Sequence, residues 1–337
     1  MMKTEQIQKV LKENHVKKQT MEQAITVLDS LDLMGSMLKF ERLSGHGMTN
    51  CLYLFETTNG KYLLRLPGEG TSHIISRQHE KDVYKALRGS DISDKVLFIS
   101  GETGIKISTY LEDAHTCDSS KPEEVRILIR LIKELHGMNL SVPHEFNLFQ
   151  EIEKYERELS GLSTDTLQGE NAQEATEEKM VDLLKEKVAR YPDFVKIREQ
   201  IYSLRPLIEK GSGKKCLCHV DAVQDNCLIQ NTGEAQAEAH LIDWEYAGMC
   251  DPYIDVAMFN LYAGVDKEQA DFAIEAYLGD RDSKADRRLI YAYMAAAAYL
   301  WVLWSEIKRE SGVDYTEYED RQYSLAKEFF TYAFEAK

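Results

Sequence analysis

The sequence predicts an α+β chain, with a small antiparallel sheet first and a larger, mainly helical part after it. Three observations carry that prediction. From Met37 the apolar pattern has period two over several short runs, with a turn signal at Thr58-Asn-Gly60. After about residue 114 the apolar residues recur at helical spacing instead. Between the later helices lies a short strand-flanked polar stretch, His219 to Tyr246.

Taken in order, residues 1–35 form an N-terminal helical extension, because Ile7, Val10 and Leu11, then Met21, Ala24, Ile25, Val27 and Leu28, fall at helical spacing. Their polar content makes them a partly exposed cap on the strands that come next. Leu38 to Leu43, Cys51 to Phe55 and Tyr62 to Leu66 read as strands, Ser72 to Leu87 as a helix, and Lys95 to Ile99 and Gly104 to Thr109 as two more strands. These make a small lobe over 36–113. Residues 114–337 make a helical large lobe, with amphipathic helices over 123–140, 149–162, 174–191 and 194–210. The polar stretch 163–175 is a loop. Four more helices, over 253–263, 267–278, 284–310 and 314–336, close the chain.

Composition narrows the function classes. The 337 residues are 43% hydrophobic and 29% charged, as in a soluble globular protein. The net charge of −16, from 41 basic and 57 acidic residues, repels nucleic acid. No apolar run reaches membrane-helix length, and Tyr291 to Leu303 reads as a buried helix, so no membrane insertion is expected. The polar N-terminus has no signal core, which points to the cytoplasm. The six cysteines form no CxxC pair and read as small buried hydrophobes rather than a zinc site.

The chemistry concentrates in His219-Val-Asp-Ala-Val-Gln-Asp-Asn226 and Ile242-Asp-Trp-Glu-Tyr246. Phosphoryl transfer needs one acid to orient the attacking hydroxyl and an Asn with an Asp to hold Mg²⁺ on the nucleotide phosphates. Asp221, Asn226 and Asp243 supply those groups. The flanking runs 215–218, 226–230 and 239–242 read as strands that present all three at one end of a hairpin. A second loop, Ser44-Gly-His-Gly-Met-Thr-Asn50, lies between the first two strands, where glycines allow close approach of backbone N–H groups to phosphate.

In this order the residues resemble the kinase-like small-molecule phosphotransferases: choline and ethanolamine kinases, aminoglycoside phosphotransferases and relatives. The likeness covers residues 37 to 335 and is strongest to bacterial-type choline kinases. It implies a protein-kinase-like two-lobe fold, with the nucleotide bound by the small lobe. It makes Asp221 the catalytic base or hydroxyl-orienting group, Asn226 and Asp243 the Mg²⁺ ligands, and His219 a scaffold of the catalytic loop. Gly47-Met-Thr-Asn50 matches the family loop over the nucleotide, which assigns Gly45, Gly47, Thr49 and Asn50 to ATP. Arg65 stands where protein kinases place a Lys, and would reach the phosphates while Glu80 pairs with it. Tyr110 to Asp113, Glu112 included, resembles the hinge against which adenine rests. Asp251 and Asp255 are assigned to structure, the second as a brace for the catalytic loop. His136 ends a helix and reads as a dipole partner.

The acceptor is addressed by Trp301-Val-Leu-Trp304, two indoles on one helix face. A quaternary ammonium is held by aromatic faces. Two tryptophans at this spacing also suit helix packing. The resemblance favours the cage, since choline kinases carry a late Trp-x-x-Trp followed by a Tyr on the last helix, matched here by Trp301, Trp304 and Tyr323. Tyr262 and Trp244 are further candidate rings, and Glu245 a source of negative charge. The expected activity is ATP- and Mg²⁺-dependent phosphorylation of choline, a small cationic alcohol. Ethanolamine, thiamine and aminoglycosides remain open as acceptors; Glu317, Glu319 and Asp320 keep the last in play. A homodimer is compatible with all of these. A pseudokinase acting as a binding module is the non-enzyme alternative, although the base and both metal ligands are retained. A protein kinase would carry Asp-Phe-Gly where this chain has Asp243-Trp-Glu.

Overall fold

The computed structural model describes residues 2–43, 50–68, 76–162, 172–230, 238–264, 266–310 and 312–335. In chain order, α1 (Thr4–Glu13) and α2 (Lys18–Ser30) precede β1 (Met37–Arg42), β2 (Asn50–Thr57), β3 (Gly60–Pro67), α3 (Arg77–Ala86), β4 (Val96–Ile99), β5 (Lys106–Thr109) and β6 (Ala114–Thr116). Five helices follow: α4 (Pro122–Gly137), α5 (Leu148–Ser160), α6 (Ala172–Lys187), α7 (Phe194–Ser203) and α8 (Arg205–Lys210). Then come β7 (Cys216–Cys218), β8 (Cys227–Gln230), β9 (Glu238–Leu241) and β10 (Gly248–Cys250). The chain closes with α9 (Tyr253–Ala263), α10 (Lys267–Leu278), α11 (Lys284–Glu310) and α12 (Thr316–Glu335). These elements make a kinase-like fold of two lobes.

The chain forms two compact units, each discontinuous in sequence. The first comprises 1–117, 140–144 and 225–248; the second comprises 118–139, 145–224 and 249–337. The stretch carrying Asn226 and Asp243 thus packs with the sheet unit, although it lies far along the helical sequence.

In the first unit the expected five-stranded antiparallel sheet forms, in the order β1-β2-β3-β5-β4. The turn between β2 and β3 is a two-residue loop, Thr58-Asn59, closed by the Thr57–Gly60 pair, with Gly60 at φ 144°. The N-terminal helices are more than an exposed cap. Ile7, Leu11, Met21, Ala24 and Leu28 share one core with Met37, Phe40, Tyr53, Phe55, Leu64 and Ile107 of the sheet. Phe40 stacks on Tyr53, and Phe55 on Tyr62, as cross-strand neighbours do. The helix expected from Ser72 is described from Arg77, capped by the Ser76 hydroxyl, which accepts from the His79 amide. Its buried face is Arg77, Glu80, Val83 and Tyr84, unusually polar for a helix packed on a sheet. A second small sheet, β6-β8-β9, completes the unit.

The second unit is helical. Its centre is α11, where every residue from Leu289 to Leu300 is buried. By length and composition α11 could cross a membrane, yet 94% of its most apolar window is buried inside the fold. It is a core helix, with the bounds 284–310 expected from the sequence. The expected helix over 194–210 is two helices, α7 and α8, because Pro206 lies in the first turn of the second and cannot continue the first.

Candidate active site

Arg65 on β3 faces α3. It donates through Nη1 and Nη2 to Glu80 Oε1 and Oε2, at 2.6 and 2.5 Å, with both residues buried. This fork-to-fork geometry is the strong form of the ion pair. Burial alone would push the Glu80 carboxyl up, but Arg65 overcomes it and the group stays below its usual range. Arg65 pairs across the sheet with Lys106, whose ammonium donates to the Tyr84 hydroxyl (2.6 Å) and Asp94 (3.1 Å). Glu80 and Tyr84 are one helical turn apart, so α3 is tied to β3 and β5 by polar contacts where most helices use apolar ones.

Asn226 and Asp243 flank the β8–β9 hairpin at one end. Cys227 pairs with Leu241, and one step further the Ile242 amide donates to the Asn226 carbonyl at 2.9 Å. Asp243 then turns away from the strand at φ 64°, a left-handed conformation that Asp tolerates better than most residues. Its Oδ1 lies 3.4 Å from Arg65 Nη1, and its side chain keeps 36% exposure. Burial pushes the Asp243 carboxyl up, against the pull of Arg65 and Lys106. A partly open carboxylate, on the segment whose backbone pairs with that of Asn226, offers with that residue's carboxamide a hard-oxygen donor set. Those groups fit Mg²⁺, which binds through one or two protein oxygens and keeps the rest for water and phosphate.

The stretch leading to Asp221 does not belong to that hairpin. β7 pairs with β10, not with β8, so the expectation that one hairpin presents all three residues is corrected. Asp221 belongs to the second unit, Asn226 and Asp243 to the first. The loop before Asp221 is held by Asp255, which accepts from the amides of His219 (2.9 Å) and Val220 (2.6 Å). His136 bonds Asp255 through Nε2 (3.0 Å) and Tyr277 through Nδ1 (2.8 Å), so it orients the brace rather than ending a helix idly. Asp251, just before the N-cap Pro252, accepts from the Tyr253 amide and so satisfies a first-turn donor of α9. Among the described residues His136, Cys216 and Cys218 form a group that could hold a metal ion. Both imidazole nitrogens are already engaged, and the two sulfurs bond each other at 3.8 Å, so the trio reads as packing.

The aromatic candidates divide. Trp301 and Trp304 meet edge to face at 5.8 Å, and the ring next to Trp304 is Tyr315, at 5.0 Å. Tyr323 is elsewhere engaged: it stacks on Tyr191 at 3.9 Å and donates to Asp193. Trp244 is fully buried in the first unit, its Nε1 donating to the Leu241 carbonyl, so it has no face for a cation. Glu245 is held in the first unit by Arg77 and Asn50. Burial first, and the Asp243 charge second, push its carboxyl up to about 7. Tyr262 is half-buried and lies within electrostatic reach of Tyr318. Tyr318 is also within reach of Asp221: burial first, then that carboxylate, push its hydroxyl up. Sequence reasoning did not single out Tyr315, just before α12, or Tyr318, in its first turn. It also missed Arg77 and Lys106, which look like ordinary surface cations until α3 is packed.

Tyr110 is partly exposed at 36%, and Glu112 pairs with Lys61 and accepts through its carbonyl from Gln230. Gly45, Gly47 and Thr49 lie outside the described residues; Asn50 begins β2.

Fold and site together define a phosphotransferase that acts on an alcohol group. The chain belongs to the choline/ethanolamine kinase family, whose model matches residues 40–327. It is 27% identical over 282 residues to Protein LicA of Haemophilus influenzae, covering 81% of this chain and 74% of that protein. The crystal structure of choline kinase LicA from Streptococcus pneumoniae superposes with a TM-score of 0.69 at 25% identity, covering 92% and 99% of the two chains. A LicA solved in complex with AMP gives 0.67 at 26% identity, covering 91% and 96%.

Proposed function

We propose that this protein transfers the γ-phosphoryl group of ATP to the hydroxyl of choline. One observation carries the reading: Asn226 and Asp243 stand at one end of a hairpin, with Arg65, fixed by Glu80, 3.4 Å from Asp243. That arrangement suits a nucleotide triphosphate and its Mg²⁺. The AMP-bound LicA and the choline kinase LicA support the nucleotide and the acceptor respectively.

In this reading residues 36–113 and 225–248 serve the nucleotide. Arg65 contacts its phosphates, and Asn226 and Asp243 hold Mg²⁺, which when bound neutralises charge on the β- and γ-phosphates. Tyr110 to Asp113 rests against the adenine. Asp221 accepts a hydrogen bond from the acceptor hydroxyl and aims it. The ammonium group lies against the rings of Trp301, Trp304 and Tyr315, while Tyr318 and Tyr262 face the hydroxyl end near Asp221. A cytoplasmic location suits this reading, since the reaction consumes ATP.

The test measures acceptor-dependent ATP consumption with choline, ethanolamine, thiamine and a kanamycin-type amine. Choline is expected to give the highest kcat/KM. Asp221→Ala and Asp243→Ala are each expected to abolish turnover without lowering the melting temperature appreciably. Full turnover in either variant rejects the site, and a clear preference for another amine rejects choline.

A further inference from the structure

We propose that Arg77 is a positioning residue for the nucleotide. Its guanidinium holds the Asn50 carboxamide and the Asp243–Glu245 segment against α3, in line with the Arg65–Glu80 pair. The proposal rests on the reading of this side as the nucleotide site.

Arg77 is the first residue of α3 and is 8% exposed. Its Nη2 donates to Asn50 Oδ1 at 3.2 Å, and its Nη1 to Glu245 Oε2 at 3.2 Å. Asn50 Nδ2 closes the triangle on the same Glu245 oxygen at 3.3 Å. Nη1 also stands 3.6 Å from Glu80 Oε2, which Arg65 holds from the other side. Two guanidiniums therefore alternate with three carboxylates, Glu245, Glu80 and Asp243, in one chain of contacts that is buried up to its partly open end at Asp243. The first residue of β2, the start of α3 and the segment bearing a proposed metal ligand meet at a single side chain.

The site is shaped to admit that side chain. Gly104, before β5, has φ 71°, and a Cβ there would stand 2.9 Å from both Cδ and Nε of Arg77. A glycine is required twice over, for its backbone and for the arginine stem that passes it. The fork matters as much as the charge. A planar guanidinium meets Asn50 and Glu245 with separate nitrogens, whereas an ammonium is a point charge. Glu245 is thereby engaged by Arg77, which removes it from the acceptor's cation partners.

Arg77→Lys keeps the charge that Glu245 and Glu80 need and loses the fork. The expected result is a rise of at least about tenfold in KM for ATP, and in the Kd for ATP by calorimetry, with KM for choline within about twofold. Gly104→Ala keeps every charge and displaces the Arg77 stem; the same split toward ATP is expected. A split in whichever variant is folded supports the proposal. Equal rises in both KM values, no change in a folded variant, or unfolding of both variants overturns it. If the unaltered chain phosphorylates none of the four amines, the proposed function fails, while the calorimetric Kd still reports on Arg77.

Discussion

The Asp255 carboxylate accepts a 2.6 Å hydrogen bond from the amide of Val220, a β-branched residue held at φ 68° directly before Asp221. The left-handed conformation costs an L-residue about 1–2 kcal/mol, more when the side chain is branched. A hydrogen bond to a charged group returns about 1.5–3 kcal/mol, and Asp255 accepts two, from His219 and Val220. The strain in the loop before Asp221 is therefore overcome by one fully buried carboxylate, itself oriented by His136.

Replacing that carboxylate tests the balance. Asp255→Asn retains one acceptor oxygen and presents an NH₂ to an amide that needs an acceptor. Stability is expected to fall by about 3 kcal/mol in urea unfolding. Turnover should drop at least about tenfold, since Asp221 is then misplaced, and KM for ATP should change little. Wild-type turnover in the variant would show that Asp221 is positioned by other contacts.

The aromatic residues separate by role. Trp304→Ala is expected to raise KM for choline at least about tenfold and KM for ATP much less, as loss of a ring face beside a cation predicts; Tyr318→Ala, at the hydroxyl end near Asp221, is expected to show the same split through loss of acceptor positioning. Tyr323→Phe removes only the bond to Asp193 and should cost about 1 kcal/mol of stability with KM for choline unchanged. A large choline effect in Tyr323→Phe, with none in the other two, would return Tyr323 to the acceptor site. Steady-state kinetics with each substrate varied decides it.

Glu319 offers a pH test away from the proposed metal ligands. Burial first, and a hydrogen bond with Glu306 second, push its carboxyl up to about 7, against the pull of Arg309 and Arg190. The unperturbed value is 4.5. Between the two the folded chain keeps a proton that the unfolded chain has released. Stability from this group is complete below about pH 4.5 and is lost as pH rises through about 7, with a limiting slope of about 1.4 kcal/mol per pH unit. Glu319→Gln should flatten the melting temperature between pH 5 and 7 and be the more stable form at pH 8. Identical pH profiles for the two proteins would mean that Glu319 is ionised throughout.

Much of this molecule was legible in the chain because its signals are local. Alternation of apolar residues from Met37 specifies strands, and a turn at Thr58-Asn-Gly60 sets the register of β2 and β3. Helical spacing marked nearly every helix of the second unit. The Asp221, Asn226 and Asp243 pattern pointed to phosphoryl transfer before any packing was known.

What required tertiary structure were partnerships between residues far apart in sequence. Whether a short strand such as β7 pairs with β8 or with β10 depends on the competing surfaces, and no local pattern encodes it. Rings that look equivalent in sequence, Tyr315, Tyr318 and Tyr323, acquire different surroundings from their neighbours. The buried chain from Asn50 through Arg77 to Glu245 joins three segments whose polar residues look individually like solvated surface. Side-chain types and local periods are properties of the chain alone. Burial and charge pairing arise only when distant segments exclude water together, and so the fold alone decided which charges were paired.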